Sequence, residues 1–427
     1  MGVRRIAAVA GALGLVTAAC AGGSSAGDDA AVSTQVAPSS STVPPTTAPA
    51  STTAAVATST EAPTTTGLAS AEAAPAERSY DFAAVDEIVE RFVAERGLNG
   101  AGLVVVDRDD GVIHEGYWGA FGPERVSLIA SSSKMLTAGV LLHLADEGLL
   151  DVDAPIAEYV DWAAGHNPQI TVAQLVSSSS GLPGLMPDPT YPPYICQYLP
   201  VGDLEQCAEQ IFTTPEDDAD VVAPDSEFRY GGAQWQVAGG VAEAVSGRSW
   251  AELIDEIYVA PCGVDSLGYA NHFGQFQTGF AYPPQFDGDP SVLTETANPN
   301  MEGGAYVTAG DYGELLLMHL RGGTCGDVQV LSEAALERMY SDEIGAAFGG
   351  ATSRGGGYGF GWWHDPGSGR IDDPGAYGAF PWLDLEGGFG GYLVVESDSG
   401  TGGQLAFELF DPVEAAVLAG RDAGERA

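Results

Sequence analysis

Strand-like segments lie at both ends of the foldable part of this chain, with a long helix- and loop-rich stretch between them. Ala101-Gly-Leu-Val-Val-Val-Asp107 reads as a strand. Asp109-Asp110-Gly111 is a turn signal, and Val112 to Trp118 reads as the hairpin partner. Far downstream, Gly357 to Trp363, Tyr377 to Leu383, Tyr392 to Glu396 and Gln404 to Leu409 share this glycine-punctuated, β-like character. Helical patterns precede and separate them: Tyr80 to Arg96, stopped by Gly97, then an apolar run from Met135 to Gly148, Trp235 to Val245, Ala251 to Val259 and Asp311 to Arg321. That order predicts an α+β fold. One antiparallel sheet is assembled from both chain ends and flanked by helices, and a mostly helical second lobe fills the middle of the chain.

The N-terminus has the pattern of an export signal. Arg4 and Arg5 precede an apolar run, Ile6 to Val16, that is too short to span a bilayer. Val16-Thr17-Ala18-Ala19-Cys20 resembles a bacterial lipobox, with Thr17 where an aliphatic residue is usual, so residues 1–20 are expected to form a signal peptide and Cys20 to be lipidated. Ordinary secretion is the alternative. Residues 21–77 are rich in Ser, Thr, Ala and Pro and carry few large apolar groups. Such a segment cannot bury enough surface to offset its ordering entropy, and it reads as a tether. Residues 78–427 form the expected folded domain.

Charge restricts the partners. The chain has 59 Asp+Glu against 16 Lys+Arg, a formal net charge of −43. Nucleic acids and anionic membrane surfaces both require a cationic footprint, so neither is an expected partner; a membrane enters only through the lipid anchor. Besides Cys20 there are four cysteines, an even number that suits two disulfides in an exported protein. Three connectivities are open. Cys196–Cys207, closing a short loop, with Cys262–Cys325 is the favoured one. No Cys-x-x-Cys occurs and the six histidines lack ligand-like clustering, so no metal and no cofactor is expected.

Lys134 is the only lysine in the chain; the other fifteen cations are arginines. Arg stays protonated in proteins, whereas a buried Lys can lose its proton and act as a base. Lys134 follows Ser131 by three residues at a helix start, which puts both side chains on one face. This Ser-x-x-Lys, followed by Thr137-Ala138, resembles the nucleophile segment of serine β-lactamases, DD-peptidases and related esterases, in particular the class C β-lactamase-like branch. Further blocks agree in order: Ile170-Thr171-Val172 with Ser180-Gly181-Leu182; Phe228-Arg229-Tyr230 with Gly239, Glu243 and Gly247; Gly303-Gly304-Ala305 with Thr308 to Asp311; and Tyr358-Gly359-Phe360-Gly361-Trp362.

A serine hydroxyl needs a nearby base to become a nucleophile at neutral pH. The resemblance implies Ser131 as nucleophile, with Lys134 and Tyr230 exchanging its proton. It implies an oxyanion hole from the backbone N–H groups of Ser131 and Ala376. Two positions depart from the pattern. Tyr-x-Asn is Tyr230-Gly231-Gly232, so the Asn amide that helps to bind an acyl-amide is missing at Gly232. The third motif, normally Lys-Thr-Gly or His-x-Gly, is Asp373-Pro374-Gly375. An Asp there is expected to repel the carboxylate of a β-lactam or a D-alanyl peptide, by a few kcal/mol at the effective dielectric typical near protein surfaces. Arg229 or Arg354 are the candidates to restore carboxylate binding. Tyr191, Tyr194, Trp235, Tyr306 and Trp382 are candidates for an aromatic pocket wall. The expected function is an acyl-enzyme serine hydrolase acting on a small-molecule or peptide-like acyl substrate, with neutral esters, amides or lactones favoured. The rivals are a surface binding module of the same fold with little turnover, and a peptidoglycan DD-peptidase or β-lactamase.

Overall fold

A computed structural model describes residues 78–185 and 190–425; the expected signal peptide, Cys20 and the tether lie outside the described residues. A six-stranded antiparallel sheet runs Gly111–Gly119, Gly100–Asp107, Phe389–Val394, Ala379–Asp384, Ile371–Asp372, Trp363–His364. Strands from the two chain ends meet at its centre, with Val104 opposite Tyr392 and Leu103 opposite Leu393. The run Leu103-Val-Val-Val106 is apolar throughout because both faces of its strand are covered. Leu103 and Val105 pack on the helices Ala83–Arg96 and Ser399–Glu425 through Val89, Phe92, Leu409 and Val413. Val104 and Val106 face the other way, into the core shared with the helix Ala309–Leu320 and the helical lobe.

That lobe is built on Lys134–Asp146, where ten of the 13 residues are buried, and on Gly232–Ser246, which packs against it. A helix apolar on all sides must sit inside the protein rather than on its surface. The disulfides are Cys196–Cys207 and Cys262–Cys325, with Cα–Cα separations of 5.7 and 4.9 Å. No helix among the described residues is long and apolar enough to cross a membrane.

Three segments differ from the sequence reading. Gln404 to Leu409, expected as strand, lies in the helix Ser399–Glu425. Its alternation of Leu405, Phe407 and Leu409 imitates a strand, but the buried set is Leu405, Leu409, Val413 and Val417, at helical spacing, while Phe407 is 60% exposed. Gly402 near its start permits a close approach: a Cβ there would lie 2.5 Å from the Gly378 carbonyl oxygen. Within Gly357 to Trp363, only Trp363 belongs to a strand. The helix expected from Ala251 to Val259 is α-helical at Trp250–Ile254 and π-helical at Asp255–Val259, ahead of Pro261, which has no N–H to continue the ladder.

Candidate active site

The segment that carries Ser131 enters on a strained residue. Ala130 has φ +45°, in the left-handed region, where a non-glycine residue costs on the order of 1–3 kcal/mol and persists only when its surroundings over-determine it. They do so here. Ser132 donates to the Asp373 carbonyl at 2.6 Å, and Ser133 donates to the Ala130 carbonyl at 2.7 Å while accepting from the Ala305 N–H at 3.0 Å. The hydroxyls of Tyr312 and Tyr269 cap the carbonyls of Ser132 and Ser133 at 2.9 and 3.0 Å. Tyr312 in turn stacks on Tyr392 of the central sheet, ring centroids 4.2 Å apart. Ser132 and Ser133 are thereby buried and engaged, and Ser131 is the partly exposed serine of the three.

Lys134, fully buried, reaches back along the same helix face. Its Nζ lies 3.1 Å from Ser131 Oγ and 2.8 Å from the Glu302 carbonyl oxygen. It sits 4.8 Å from the centroid of the Tyr230 ring and 5.8 Å from that of Trp235. Tyr230 is held by an aromatic cluster of Phe228, Tyr358 and Trp363, with Trp363 5.2 Å away. Burial pushes the Tyr230 phenol up, against the opposing pull of Lys134 and Ser131, which both adjoin it. Burial pushes Lys134 down, but the neighbouring Tyr230, Glu302 and Asp373 outweigh it, and Lys134 stays above its ordinary 10.5.

Gly375 brings the third motif onto the nucleophile turn. A Cβ there would lie 2.0 Å from the Ile129 carbonyl oxygen, so only glycine permits the approach. Ala376 follows and packs in the same cluster as Ala130. Its N–H has no hydrogen-bond acceptor among the described residues. Gly361 makes a matching approach from another side, where a Cβ would meet the Met135 nitrogen at 2.8 Å.

Asp373 does not face a substrate, contrary to the sequence reading. Its side chain is buried under the nucleophile helix, one oxygen accepting from the Met135 N–H at 3.3 Å and the other without a partner among the described residues. Burial drives its pKa well above 3.8, against the pull of Lys134. A carboxyl group enclosed under that helix exerts little repulsion on a substrate carboxylate. The candidate cations are engaged elsewhere. Arg354 binds both oxygens of Asp372, at 2.5 and 2.8 Å, and Arg229 bonds Glu227 and the carbonyls of Gly181 and Asp220. Of the expected pocket aromatics, Trp235 is near the site but fully buried, and Trp382 lies in the core behind the sheet. Tyr191 bonds Asp217, and Tyr194 packs edge-on against it. Tyr306 lines a separate cavity of about 410 Å³ with Trp250 and Tyr269.

Gly232 opens the helix Gly232–Ser246, and the space its missing side chain leaves is filled. A Cβ on Gly232 would lie 2.2 Å from the Glu302 carboxyl carbon. Glu302 is 3% exposed; its Oε2 is 3.5 Å from Lys134 Nζ, and its Oε1 accepts from Tyr198 at 3.2 Å. The sequence reading missed this residue. Its signal is present: Glu302 is the only charged residue between Glu295 and Asp311, directly before Gly303-Gly304.

The sequence profile of the family described as Beta-lactamase matches residues 85–424. The chain belongs to this family. Penicillin-binding protein 4 of Amycolatopsis lactamdurans is 25% identical over 284 residues, covering 62% of this chain and 71% of that protein. Esterase EstB of Burkholderia gladioli is 25% identical over 333 residues, covering 69% and 81%. The penicillin-binding protein homologue of Pyrococcus abyssi, described as octameric, shares the fold, with TM-score 0.59, 21% identity and coverage of 80% and 78%. The Beta-lactamase chain described here is thus a serine hydrolase of the β-lactamase/transpeptidase-like fold, a group that includes esterases and peptidases.

Proposed function

We propose that this protein is an exported, lipid-anchored or secreted serine hydrolase that turns over neutral esters or amides through an acyl-enzyme on Ser131. The observation that carries the reading is the buried Lys134 amine 3.1 Å from Ser131 Oγ, beneath Tyr230. Ser131 Oγ attacks the acyl carbon, and its proton is taken up by way of Lys134. The N–H groups of Ser131 and Ala376 receive the oxyanion. The Tyr230 phenol protonates the departing oxygen or nitrogen, and water reverses the sequence to free the acid.

The preference for neutral substrates now rests on a missing attraction rather than on repulsion. The third motif offers no Lys or His, and the Arg354 charge is matched by Asp372. EstB being an esterase supports the same reading, while the penicillin-binding relative keeps a DD-peptidase as the rival. The test is hydrolysis of p-nitrophenyl acetate and butyrate beside a chromogenic cephalosporin, with Ser131→Ala and Lys134→Arg as controls. Ester turnover lost in both variants, with the cephalosporin spared, supports the reading. Cephalosporin turnover outpacing the esters refutes the substrate assignment.

A further inference from the structure

Four acceptors surround the Lys134 ammonium: Ser131 Oγ, the Glu302 carbonyl, Glu302 Oε2 and the face of Tyr230. The amine donates to Ser131 Oγ and to the Glu302 carbonyl oxygen, and Glu302 Oε2 is its ion-pair partner at 3.5 Å. The amine cannot accept the serine proton until it gives one up. A backbone carbonyl is no destination for it, and the Tyr230 phenol is the donor to the leaving group. The destination is the Glu302 carboxylate.

We propose that Glu302 is the proton acceptor for Lys134, so that the nucleophile is activated by a Ser131–Lys134–Glu302 relay. The inference rests on the serine-hydrolase reading and deepens it. Lys134 passes a proton to Glu302 Oε2 as it takes the proton of Ser131, and the Oγ–acyl bond forms. When the bond to the leaving group breaks, Tyr230 protonates that group and is reprotonated by Lys134. Glu302 then returns its proton to Lys134, which restores an ammonium and a carboxylate. Protons and charge balance over acylation, and deacylation runs the same steps with water in place of the leaving group.

The fold builds this carboxylate in. Gly232 leaves the room for it, and a side chain at that position would occupy the space of the carboxyl group. The loop carrying it is pinned by buried amides. Gln236 holds Asn298, Pro299 and Met301; Asn271 and Asn300 tie the loop to Gln197. The titratable and charged groups around it are Lys134 from the nucleophile helix, Tyr230 from the segment before Gly232, Tyr198 from the disulfide-closed loop and, through Lys134, Asp373 from the third motif. Only Lys134 is cationic among these.

The test measures pre-steady-state acylation by p-nitrophenyl butyrate from pH 5 to 10 in wild type, Glu302→Gln, Gly232→Ala and Ser131→Ala. Glu302→Gln keeps the shape and removes the acceptor. Gly232→Ala leaves Glu302 in the sequence but drives its carboxyl group from its seat. The relay predicts that both slow acylation on the order of 100-fold at every pH, with KM changed less than about threefold. The contrary result is specific. If Glu302 only holds the Lys134 pKa up, Glu302→Gln will acylate as fast as wild type or faster at neutral pH, with the acid limb moved to lower pH. Ester turnover abolished in Ser131→Ala while Glu302→Gln acylates within about threefold of wild type overturns the relay and leaves the serine-hydrolase reading standing.

Discussion

Asp373→Asn separates a carboxylate that faces substrate from one that is buried and neutral. The folded chain holds the Asp373 proton well above the ordinary 3.8, because burial penalises the charge. The unfolded chain releases that proton near pH 3.8. Between these two values the folded state binds the extra proton, so wild-type stability falls as pH rises. Each pH unit costs about 1.4 kcal/mol while the folded group stays protonated. The attraction of Lys134 for the ionised form reduces this slope. The amide has no such proton to lose. It keeps an oxygen for the Met135 N–H, now 3.3 Å from the carboxylate. Urea unfolding at pH 4.5, 6 and 7.5 should therefore find Asp373→Asn within about 1 kcal/mol of wild type at pH 4.5 and more stable at pH 7.5, by an amount that grows with pH. Its cephalosporin turnover should be unchanged within a few-fold. A variant less stable than wild type at pH 7.5, or one that gains cephalosporinase activity at least 10-fold, would refute the burial argument and restore the repulsive role.

His272 has a pKa lowered by burial to about 3, and neither ring nitrogen has a partner among the described residues. The unfolded chain takes up this proton near pH 6.5, so the contribution is intact above pH 6.5 and is lost as pH falls towards 3. His272→Phe should flatten the acid side of the stability curve by about 1.4 kcal/mol per pH unit, and an unchanged slope would count against it. Glu243 and Glu343, both raised by burial to about 7, act in the opposite sense, so the comparison must be with wild type at each pH. Cys262→Ser with Cys325→Ser opens a 63-residue loop and should cost about 4 kcal/mol in urea unfolding. Leu409→Ala, under the sheet, should cost about 2–5 kcal/mol, whereas Phe407→Ala, on the exposed side of the same helix, should change stability by less than about 1 kcal/mol. Equal costs would mean that the helix lies in the other orientation.

Much of the architecture was legible because it is written in runs long enough to have a period. The fully apolar Leu103-Val-Val-Val106 strand, the apolar helix after Lys134 and the turn at Asp109 to Gly111 needed no tertiary information. The helix around Leu405 was missed because Leu405, Phe407 and Leu409 alternate locally, and only the next two turns, carrying Val413 and Val417, show the true period. The proximity of Ser131 and Lys134 was legible because one helical turn joins them. Asp373 was placed correctly beside the nucleophile, yet its direction was not, since a motif position fixes where a backbone runs and not which way a side chain turns. Glu302 is 168 residues from Lys134 in sequence, and its role depends on an absent side chain at Gly232. No local pattern encodes that kind of complementarity.

The most direct test of the account is to trap the acyl-enzyme. The protein is mixed with p-nitrophenyl butyrate and quenched in acid during turnover. Intact mass and peptide mapping are then compared for wild type, Ser131→Ala and Lys134→Arg. The account predicts one butyryl group per chain, on Ser131, absent from Ser131→Ala and strongly reduced in Lys134→Arg. Turnover without any adduct, or an adduct that persists in Ser131→Ala, would contradict it.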